Sequence, residues 1–202
     1  MIISIINLKG GVGKTTTAIA LATAALRDGK KVRLLDADQQ SSASLWADVA
    51  ESRGDPLPFE VEAANLSTVR KAAKDDQGTK GVWVFIDCPP NGKITDEAMR
   101  AADLVVVPTT TGPADMIKTV ETAETCSVND KYYAILLTRV VPKTLTLKQA
   151  LLTLKEREAS WFDTTIPQRE ILKSFFGNSF GKDLFGYEAV YQEAKEGLED
   201  AD

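Results

Sequence analysis

The sequence predicts an α/β fold in which helices cover both faces of a mostly parallel, twisted β-sheet. Short apolar runs rich in β-branched residues are typical of strands that are buried on both faces. Segments with helical periodicity separate these runs, and such alternation indicates βαβ units. The clearest predicted strands cover residues 2–6, 82–86 and 104–107, and weaker candidates cover 32–35 and 133–137.

The helical segments complete this pattern. Residues 15–26 are rich in Ala and Leu, and Asp28 followed by Gly29 ends the segment in the manner of a C-cap. A loop at 53–58 contains one Gly and two Pro but is too short to separate domains. We therefore expect one domain over residues 1–202. The predicted helices cover residues 15–26, 41–50, 66–74, 96–101, 115–125 and 145–154.

Composition excludes several classes of enzyme. The 202 residues include no histidine, so a Ser-His-Asp triad, a Cys-His pair and a His-containing zinc site are all impossible. The two cysteines, Cys88 and Cys126, form no CxxC motif and are expected to be reduced core residues. The chemistry must therefore come from carboxylates, lysines, hydroxyls and backbone amides.

The sequence has no targeting or membrane signal. The apolar run at residues 1–6 lacks a preceding basic region and is too short for a signal peptide. No apolar run approaches the 18 residues that a membrane-spanning helix needs. We expect a cytoplasmic protein.

A glycine-rich loop joins the first strand to the first helix. Residues 7–16 read Asn-Leu-Lys-Gly-Gly-Val-Gly-Lys-Thr-Thr, which is a phosphate-binding P-loop in its usual context. Gly10, Gly11 and Gly13 are expected to supply positive φ angles and close approach of backbone N–H groups to phosphate. The helix N-terminus adds free N–H groups and a partial positive charge. The loop predicts a P-loop NTPase.

The side chains that follow the loop glycines have distinct predicted roles. Lys14 is expected to reach the β- and γ-phosphates of the nucleotide, and the Thr15 hydroxyl is expected to ligate Mg²⁺. Thr16 is expected near the α-phosphate.

Two further strands end in aspartates. The strand at 32–35 leads into Asp36 and Asp38, and the strand at 82–86 leads into Asp87. Acids at the carboxyl edge of a parallel sheet lie where ligands bind. Asp87 has the Walker B position and is predicted to hold Mg²⁺ through water.

The loop sequence Asn-x-Lys-Gly-Gly-Val-Gly-Lys-Thr-Thr resembles the deviant Walker A motif of the ParA/MinD ATPases. In that family the additional lysine, here Lys9, crosses a dimer interface and touches the phosphates that the other subunit binds. The resemblance implies that ATP favours a homodimer with two nucleotides sandwiched between the subunits. It also implies that Asp36 supports the Mg²⁺ shell and that Asp38 orients the attacking water. The family usually has a proline next, where this chain has Gln39.

Three other stretches match the family. Residues 108–115 resemble a loop at the dimer interface near the nucleotide, although a polar turn at a helix start explains them equally well. Thr138 and Arg139 resemble an element that contacts adenine, and Pro167 lies in a stretch that resembles the second adenine-side loop. The predicted catalytic residues are Lys9, Lys14 and Asp38, and the predicted metal ligands are Thr15, Asp36 and Asp87. The predicted nucleotide-binding residues are Lys9, Gly10, Gly11, Val12, Gly13, Lys14, Thr15, Thr16, Thr138, Arg139 and Pro167.

The resemblance implies a short ParA-type partition ATPase that hydrolyses Mg-ATP to ADP and phosphate. Its dimer is expected to bind DNA without sequence preference and to associate with the nucleoid, and a ParB-type partner is expected to stimulate hydrolysis. The net charge of −5 hides a local net charge of +4 at residues 139–182 and −6 at residues 183–202. The acidic end argues against stable membrane association. The candidate DNA-binding residues are Arg139, Lys143, Lys148, Lys155, Arg157, Arg169, Lys173 and Lys182.

Two other functions remain open from the sequence. One is a MinD-like or flagellar-type positioning ATPase whose cargo is a protein or a membrane. ATP-dependent DNA binding that weakens steeply with salt separates partition from this function. The other is a P-loop metabolic enzyme similar to dethiobiotin synthetase, for which a pocket for a small-molecule substrate is the discriminating observation.

Overall fold

The computed structural model describes residues 1–74 and 81–199, apart from the side chain of Lys173. Within these residues, six strands form one sheet in the order β3-β2-β4-β1-β5-β6, and every neighbouring pair is parallel. The mostly parallel sheet predicted from the sequence is thus confirmed. The strands are β1 (Ile2–Ile5), β2 (Lys31–Asp36), β3 (Val61–Ala63), β4 (Val82–Asp87), β5 (Leu104–Thr109) and β6 (Tyr133–Leu137).

Helices cover both faces of this sheet. Alternate side chains of each central strand enter opposite cores, as Ile3 and Ile2 of β1 do, because successive residues of a strand point to opposite faces. One core receives α1, α2 and α8, and the other receives α3, α4, α5 and α6. The helices are α1 (Lys14–Arg27), α2 (Ser42–Ser52), α3 (Leu66–Lys74), α4 (Lys93–Ala101), α5 (Pro113–Val128), α6 (Leu145–Glu156), α7 (Glu170–Lys173) and α8 (Tyr187–Glu199).

The structure contains elements that periodicity did not predict. Strand β3 has only three residues and pairs with β2 alone, so it leaves no clear apolar run in the sequence. Helix α8 packs against α1 through buried residues that include Tyr187 and Tyr191. Residues 161–167 run parallel to the end of β6, because Ile166 N donates to Leu137 O at 2.9 Å and Val140 N donates to Ile166 O at 2.9 Å.

Both cysteines lie in a hydrophobic core of the protein. Cys88 and Cys126 are both buried and unbridged, as the sequence predicts. Burial raises the pKa of the Cys126 thiol to about 12, so this side chain stays a neutral core residue. Over the described part of the chain, every helix is too short or too polar to cross a bilayer.

Strand order determines where the polar strand ends meet. Strand β4 lies between β2 and β1, so the acids that end β2 and β4 lie beside the loop that follows β1. Strand β5 flanks β1 on the other side, and β6 follows it. In open parallel sheets ligands bind at the carboxyl ends of the strands, where the crossover direction reverses. This edge therefore holds the candidate site.

Candidate nucleotide site

The P-loop is tied to the sheet by a buried asparagine. Asn7 Nδ2 donates to Pro108 O at 2.9 Å and to Thr119 Oγ1 at 3.0 Å, while its Oδ1 accepts from Lys9 N at 2.8 Å. The amide therefore joins the start of the loop to β5 and α5. A loop held in this way is preorganised before any ligand arrives.

The three loop glycines differ in whether their backbone conformation requires a glycine. Gly11 has φ of +78° and Gly13 has φ of +97°, a region that side-chain-bearing residues rarely adopt. Gly10 does not have a positive φ, and a Cβ there meets no heavy atom within 4 Å. The expectation of positive φ is confirmed at Gly11 and Gly13 and is wrong at Gly10, because the chain turns left-handed only after it.

The ammonium of Lys14 lies at the centre of this loop. Its Nζ donates to Lys9 O at 3.2 Å and to Asn7 O at 3.4 Å, and the residue is buried. Desolvation by this burial lowers the pKa of Lys14, against the opposing effect of the carboxylates of Asp87 and Asp38. An anionic ligand at the loop offsets this loss of hydration, so the geometry favours phosphate binding.

The acids of β2 and β4 are held in different ways. Asp87 Oδ2 accepts from the Thr15 hydroxyl at 2.7 Å. Burial raises the pKa of Asp87 to about 7, although the Thr15 hydrogen bond opposes the shift. Asp36 Oδ2 instead accepts from both the N–H and the hydroxyl of Ser44, at 2.8 and 2.7 Å. Asp38 is half-buried, and its Oδ1 accepts from Gln40 N at 3.0 Å.

The oxygen donors at this edge fit a magnesium ion. Across residues 1–74 and 81–199, no three His, Cys, Asp or Glu side chains form a ready metal cluster. Mg²⁺ does not need one, since it keeps several waters and binds through one or two carboxylates together with substrate phosphates. Thr15 and Asp87 provide a hydroxyl and a buried carboxylate in direct contact. Burial raises the pKa of Asp87, so a cation beside it would stabilise the ionised carboxylate. Thr15, Asp87 and, behind them, Asp36 are the residues that would hold the ion.

Two adjoining cavities occupy the carboxyl edge. The phosphate-end cavity has a volume of 410 Å³ and is lined by the P-loop together with Asp38, Gln40 and Pro90. The nucleoside-end cavity has a volume of 540 Å³ and is lined by residues that include Ile166, Pro167 and Leu172. The two cavities share Gly13, Thr16, Trp46, Arg139 and Phe176, so together they form one elongated trough.

The nucleoside end brings together all three residues that were matched to adenine contacts. Thr138, Arg139 and Pro167 line the same cavity, although Pro167 is 28 residues beyond Arg139 in the chain. The parallel segment beside β6 explains this, because Val140 and Pro167 form a bridge. The Thr138 hydroxyl lies 3.0 Å from Val12 O and 3.1 Å from Thr109 O and donates to the backbone there. Thr138 thus also ties the P-loop to β6.

Lys9 lies apart from Lys14. Its side chain is 44% exposed, and its Nζ is 4.0 Å from Asp115 Oδ1. Because Asp115 pairs with Lys9 and Pro108 O accepts from Asn7, residues 108–115 lie beside the P-loop. Asp115 Oδ2 also accepts from the Thr110 hydroxyl at 2.6 Å. The Lys14 ammonium lies inside the P-loop of its own chain, whereas the Lys9 side chain lies at the rim of that loop.

Sequence reasoning missed two aromatic residues of the trough. Trp46 and Phe176 lie where the cavities meet, with ring centroids 5.2 Å apart. Trp46 could have been identified from the sequence, because it lies in the helix that follows the turn with Asp36 and Asp38. No local signal marks Phe176, which reaches the site from a segment that follows α7.

A separate cleft of 940 Å³ adjoins the acids. It is lined by residues 36–41, 63–66 and 89–94 and shares Asp38, Gln40 and Pro90 with the phosphate-end cavity. This cleft is large enough to hold the small-molecule substrate of a metabolic enzyme. Its volume by itself does not distinguish a metabolic enzyme from a partition or positioning ATPase.

The geometry described so far defines a nucleotide-binding P-loop protein, and the family match agrees. Residues 3–178 match the family described as the CobQ/CobB/MinD/ParA nucleotide binding domain. The chain belongs to this family. Within it, the chain is an ATPase of the ParA/MinD type, as its curated relatives indicate.

Two relatives illustrate the range of roles. The "Maintenance of carboxysome distribution protein A" of Gloeobacter kilaueensis is 35% identical over 169 residues, which is 82% of this chain and 76% of that protein. The "Chromosome partitioning protein ParA" of Caulobacter vibrioides is 32% identical over 146 residues, covering 53% of this chain and 55% of that protein. The second match spans only about half of the relative's length.

Solved structures share the fold. The MinD cell division protein of Aquifex aeolicus has a TM-score of 0.78 at 19% identity, covering 96% of each chain. A cobyrinic acid a,c-diamide synthase of Mycobacterium smegmatis, solved with an ATP analogue and magnesium, has a TM-score of 0.72 at 21% identity, covering 100% of this chain and 96% of that chain. At such identities the likeness establishes the fold alone.

Proposed function

We propose that residues 1–202 form one ATPase unit that binds and hydrolyses Mg-ATP, dimerises around two nucleotides and segregates plasmid or chromosomal DNA. The observation that carries this proposal is the division of labour between two lysines of one loop. Lys14 is buried against the loop carbonyls, whereas Lys9 is half-exposed at the rim. A lysine at the rim is available to phosphates held by a second subunit.

Hydrolysis in this proposal depends on positioning. The backbone N–H groups of residues 10–16 and the Lys14 ammonium bind the phosphates, and Thr16 lies toward the α-phosphate. Bound Mg²⁺ supplies positive charge that offsets the charge developing on the phosphate oxygens. Asp38 accepts a hydrogen bond from the attacking water and aligns it. A loose phosphoryl transition state needs alignment and electrostatic stabilisation more than strong proton abstraction.

Dimerisation follows from the charge of the nucleotides. Two triphosphates at one interface repel each other unless cations are placed between them, and Lys9 from each subunit provides such a cation. The ion pair of Lys9 with Asp115 exchanges for a contact with phosphate of the opposite subunit. Because ATP binds the dimer better than the monomer, ATP shifts the population toward the dimer.

Basic side chains support non-specific DNA binding. Of the eight candidate residues between 139 and 182, the seven whose side chains are described are all exposed. The side chain of Lys173 lies outside the described part of the structure. Arg157 is paired with Glu124 at 3.3 Å, which leaves it less available than the others. Dimerisation doubles this cationic set, so DNA binding is expected only in the ATP state.

The partner and the location follow the same scheme. A ParB-type protein bound to the DNA cargo stimulates hydrolysis and so releases the dimer from DNA. The ATPase is cytoplasmic and associates with the nucleoid while ATP is bound. Stable membrane association is not part of this cycle.

A second candidate function is the positioning of a protein cargo. It is favoured by the Gloeobacter kilaueensis carboxysome-distribution protein, which matches over 76% of its length, more than the Caulobacter vibrioides partition protein does. The ATP cycle and the ATP-dependent dimer are the same in both candidates. They differ in the cargo that recruits the stimulating partner.

Analytical ultracentrifugation tests the common cycle. The wild type and Lys9→Ala are sedimented with ADP, ATP or a non-hydrolysable ATP analogue, with and without a DNA duplex of unrelated sequence. We expect a wild-type dimer with ATP or the analogue, DNA binding of that dimer alone, and a steep loss of DNA binding with salt. Lys9→Ala is expected to bind ATP and remain monomeric.

Other outcomes select the alternatives. An ATP-dependent dimer without affinity for DNA favours positioning on another surface. A monomer that transfers phosphate to a small molecule favours a metabolic enzyme that uses the 940 Å³ cleft. Deletion in the source organism then separates the two cargo classes, because loss of a replicon indicates partition and clustering of a protein compartment indicates positioning.

A further inference from the structure

A pair of aromatic rings lies where the two cavities of the trough adjoin. Trp46 of α2 and Phe176 line both the phosphate-end and the nucleoside-end cavities, so they lie at the junction between the two. Their ring centroids are 5.2 Å apart with an interplanar angle of 52°. A nucleotide that has its phosphates on the P-loop and its base in the 540 Å³ cavity must pass this pair.

The two rings differ in exposure. Trp46 is 3% exposed, and its Nε1 donates to Asn178 O at 2.9 Å, so the indole is a fixed support. Phe176 is 40% exposed, although it lines both cavities. An exposed phenyl ring on the wall of a ligand trough gains free energy when an apolar surface covers it.

The segment that carries Phe176 is held firmly against α2. We call residues 175–182 the strap. Arg53 Nη1 donates to Phe176 O at 3.1 Å and to Gly177 O at 2.9 Å. A Cβ added at Gly177 would overlap the side chain of Val49, so the strap lies directly against α2.

Further contacts fasten the end of the strap. Ser179 donates through its N–H and its hydroxyl to the Asp55 carboxylate, at 3.1 and 2.6 Å. Arg27 at the end of α1 donates to Phe180 O at 2.9 Å and to Lys182 O at 3.2 Å. Phe176 is therefore presented by a braced backbone, which lowers the entropy cost of using it as a contact.

Helix α2, which carries the Trp46 that supports Phe176, also contacts an acid of the phosphate end. The first turn of α2 is bound to Asp36 through Ser44, and Trp46 follows two residues later on the same helix. One helix thus holds an acid of the magnesium site at its start and the aromatic support in its middle.

We propose that Phe176, supported by Trp46, packs against the nucleoside of the bound nucleotide and is a contact residue that makes this protein prefer a nucleotide over a bare polyphosphate. The proposal deepens the proposed function and rests on it, since it requires ATP to bind in the trough. The strap then acts as the outer wall of the nucleoside site, opposite the elements that carry Arg139 and Pro167.

Isothermal titration with two ligands tests this role. Mg-ATP fills the whole trough, whereas inorganic tripolyphosphate with Mg²⁺ occupies the phosphate end alone. Phe176→Ala is expected to weaken ATP binding about tenfold, because loss of one aromatic–base contact has that magnitude. The same substitution is expected to leave the affinity for tripolyphosphate unchanged, and Phe176→Tyr is expected to restore ATP affinity. The matched control is Tyr132→Ala, which removes an exposed aromatic ring next to the amino end of β6 and should change neither affinity.

Three results contradict the proposal. If Phe176→Ala binds ATP as the wild type does while both ligands bind the wild type, only the role of Phe176 is overturned. If Phe176→Ala weakens ATP and tripolyphosphate equally, the residue acts through the fold and not through the nucleoside. If the wild type binds neither ligand, the ATP site of the proposed function fails, and the proposal fails with it.

Tryptophan fluorescence gives an independent readout. Trp46 is the tryptophan that lines the trough, whereas Trp161 lines another cavity near the amino end of β6. ATP is expected to change the fluorescence of the wild type and of Trp161→Phe, and the change is expected to disappear in Trp46→Phe. Persistence of the full change in Trp46→Phe overturns the placement of the nucleoside beside the pair.

Discussion

The two ends of the trough are built in opposite ways. The phosphate end is built around one short stretch within residues 10–16, whose backbone and Lys14 converge because the loop is short and glycine-rich. The nucleoside end lacks such a central stretch, and the residues that line it alone come from separate segments, such as Thr138, Pro167 and Tyr187. Phosphate recognition thus depends on local backbone geometry, whereas nucleoside recognition depends on tertiary packing.

The largest expected effect comes from disabling the phosphate end. Lys14→Ala removes the buried ammonium that lies on Lys9 O and Asn7 O, and we expect binding of both ATP and tripolyphosphate to be lost. Titration calorimetry measures this loss, with Lys9→Ala as the control that retains binding. Retained binding of tripolyphosphate by Lys14→Ala would show that backbone amides suffice and that the two ends are less different than they look.

The next effect separates binding from chemistry within the phosphate end. Asp38→Ala is expected to bind ATP and to stay dimeric, while hydrolysis falls about a hundredfold because the water loses its alignment. Phosphate release and sedimentation velocity report the two properties. Gln39→Ala is the neighbouring control and is expected to turn over close to the wild-type rate. Wild-type hydrolysis by Asp38→Ala would refute the assignment of Asp38.

The two ends also differ in their expected pH response. Burial raises the pKa of Asp87 from 3.8 to about 7 in the folded protein, so ionising it in the absence of ligand costs stability as the pH rises from about 4 to 7. Below pH 4 the carboxyl is protonated in both folded and unfolded states, and above pH 7 the cost is complete. Asp87→Asn removes this cost, so its stability relative to wild type is expected to rise across that window and to be constant outside it.

A tyrosine at the nucleoside end provides the comparison. Burial raises the pKa of Tyr187 to about 12, so this side chain is neutral from pH 4 to 9. Tyr187→Phe loses the hydrogen bond with Thr17 and is expected to shift stability by the same amount at every pH in that range. Urea unfolding of ligand-free protein at several pH values measures both variants. A pH-independent difference for Asp87→Asn would refute the burial argument.

The smallest effect compares two glycines of the loop. Gly11→Ala forces a Cβ into a left-handed conformation at φ of +78° and is expected to cost about 1 kcal/mol of unfolding free energy. Gly10→Ala meets neither a positive φ nor a nearby atom, so its ligand-free stability is expected to match or exceed that of wild type. Urea unfolding distinguishes them, and equal destabilisation would mean that the conformation of the loop differs from the one described.

Much of the fold was predictable because its signals are local. The central strands were located by their apolar runs, since strands buried on both faces need no polar side. Strand β3 escaped prediction because three edge residues carry no periodicity. Helix α8 was not predicted, because its buried positions become apparent only when α1 is placed against it.

The site residues also divide into those with a local sequence signal, which were predicted, and those without one. Lys14, Thr15 and the strand-end acids were identified because each lies within or directly after a motif. The pairing of Thr15 with Asp87 needed β1 and β4 to be neighbours. Phe176 was missed because only the tertiary structure brings the strap against Trp46.

The sequence by itself determined the phosphate loop and the acids at the strand ends. These depend on glycine content, hydrogen-bonding groups and apolar runs that act over a few residues. Only the tertiary structure decided which acids meet the loop, how Pro167 comes beside Arg139, and which rings wall the nucleoside end. Those outcomes follow from strand order and from packing between distant segments, because long-range contacts form where complementary surfaces meet and not where residues are adjacent in the chain.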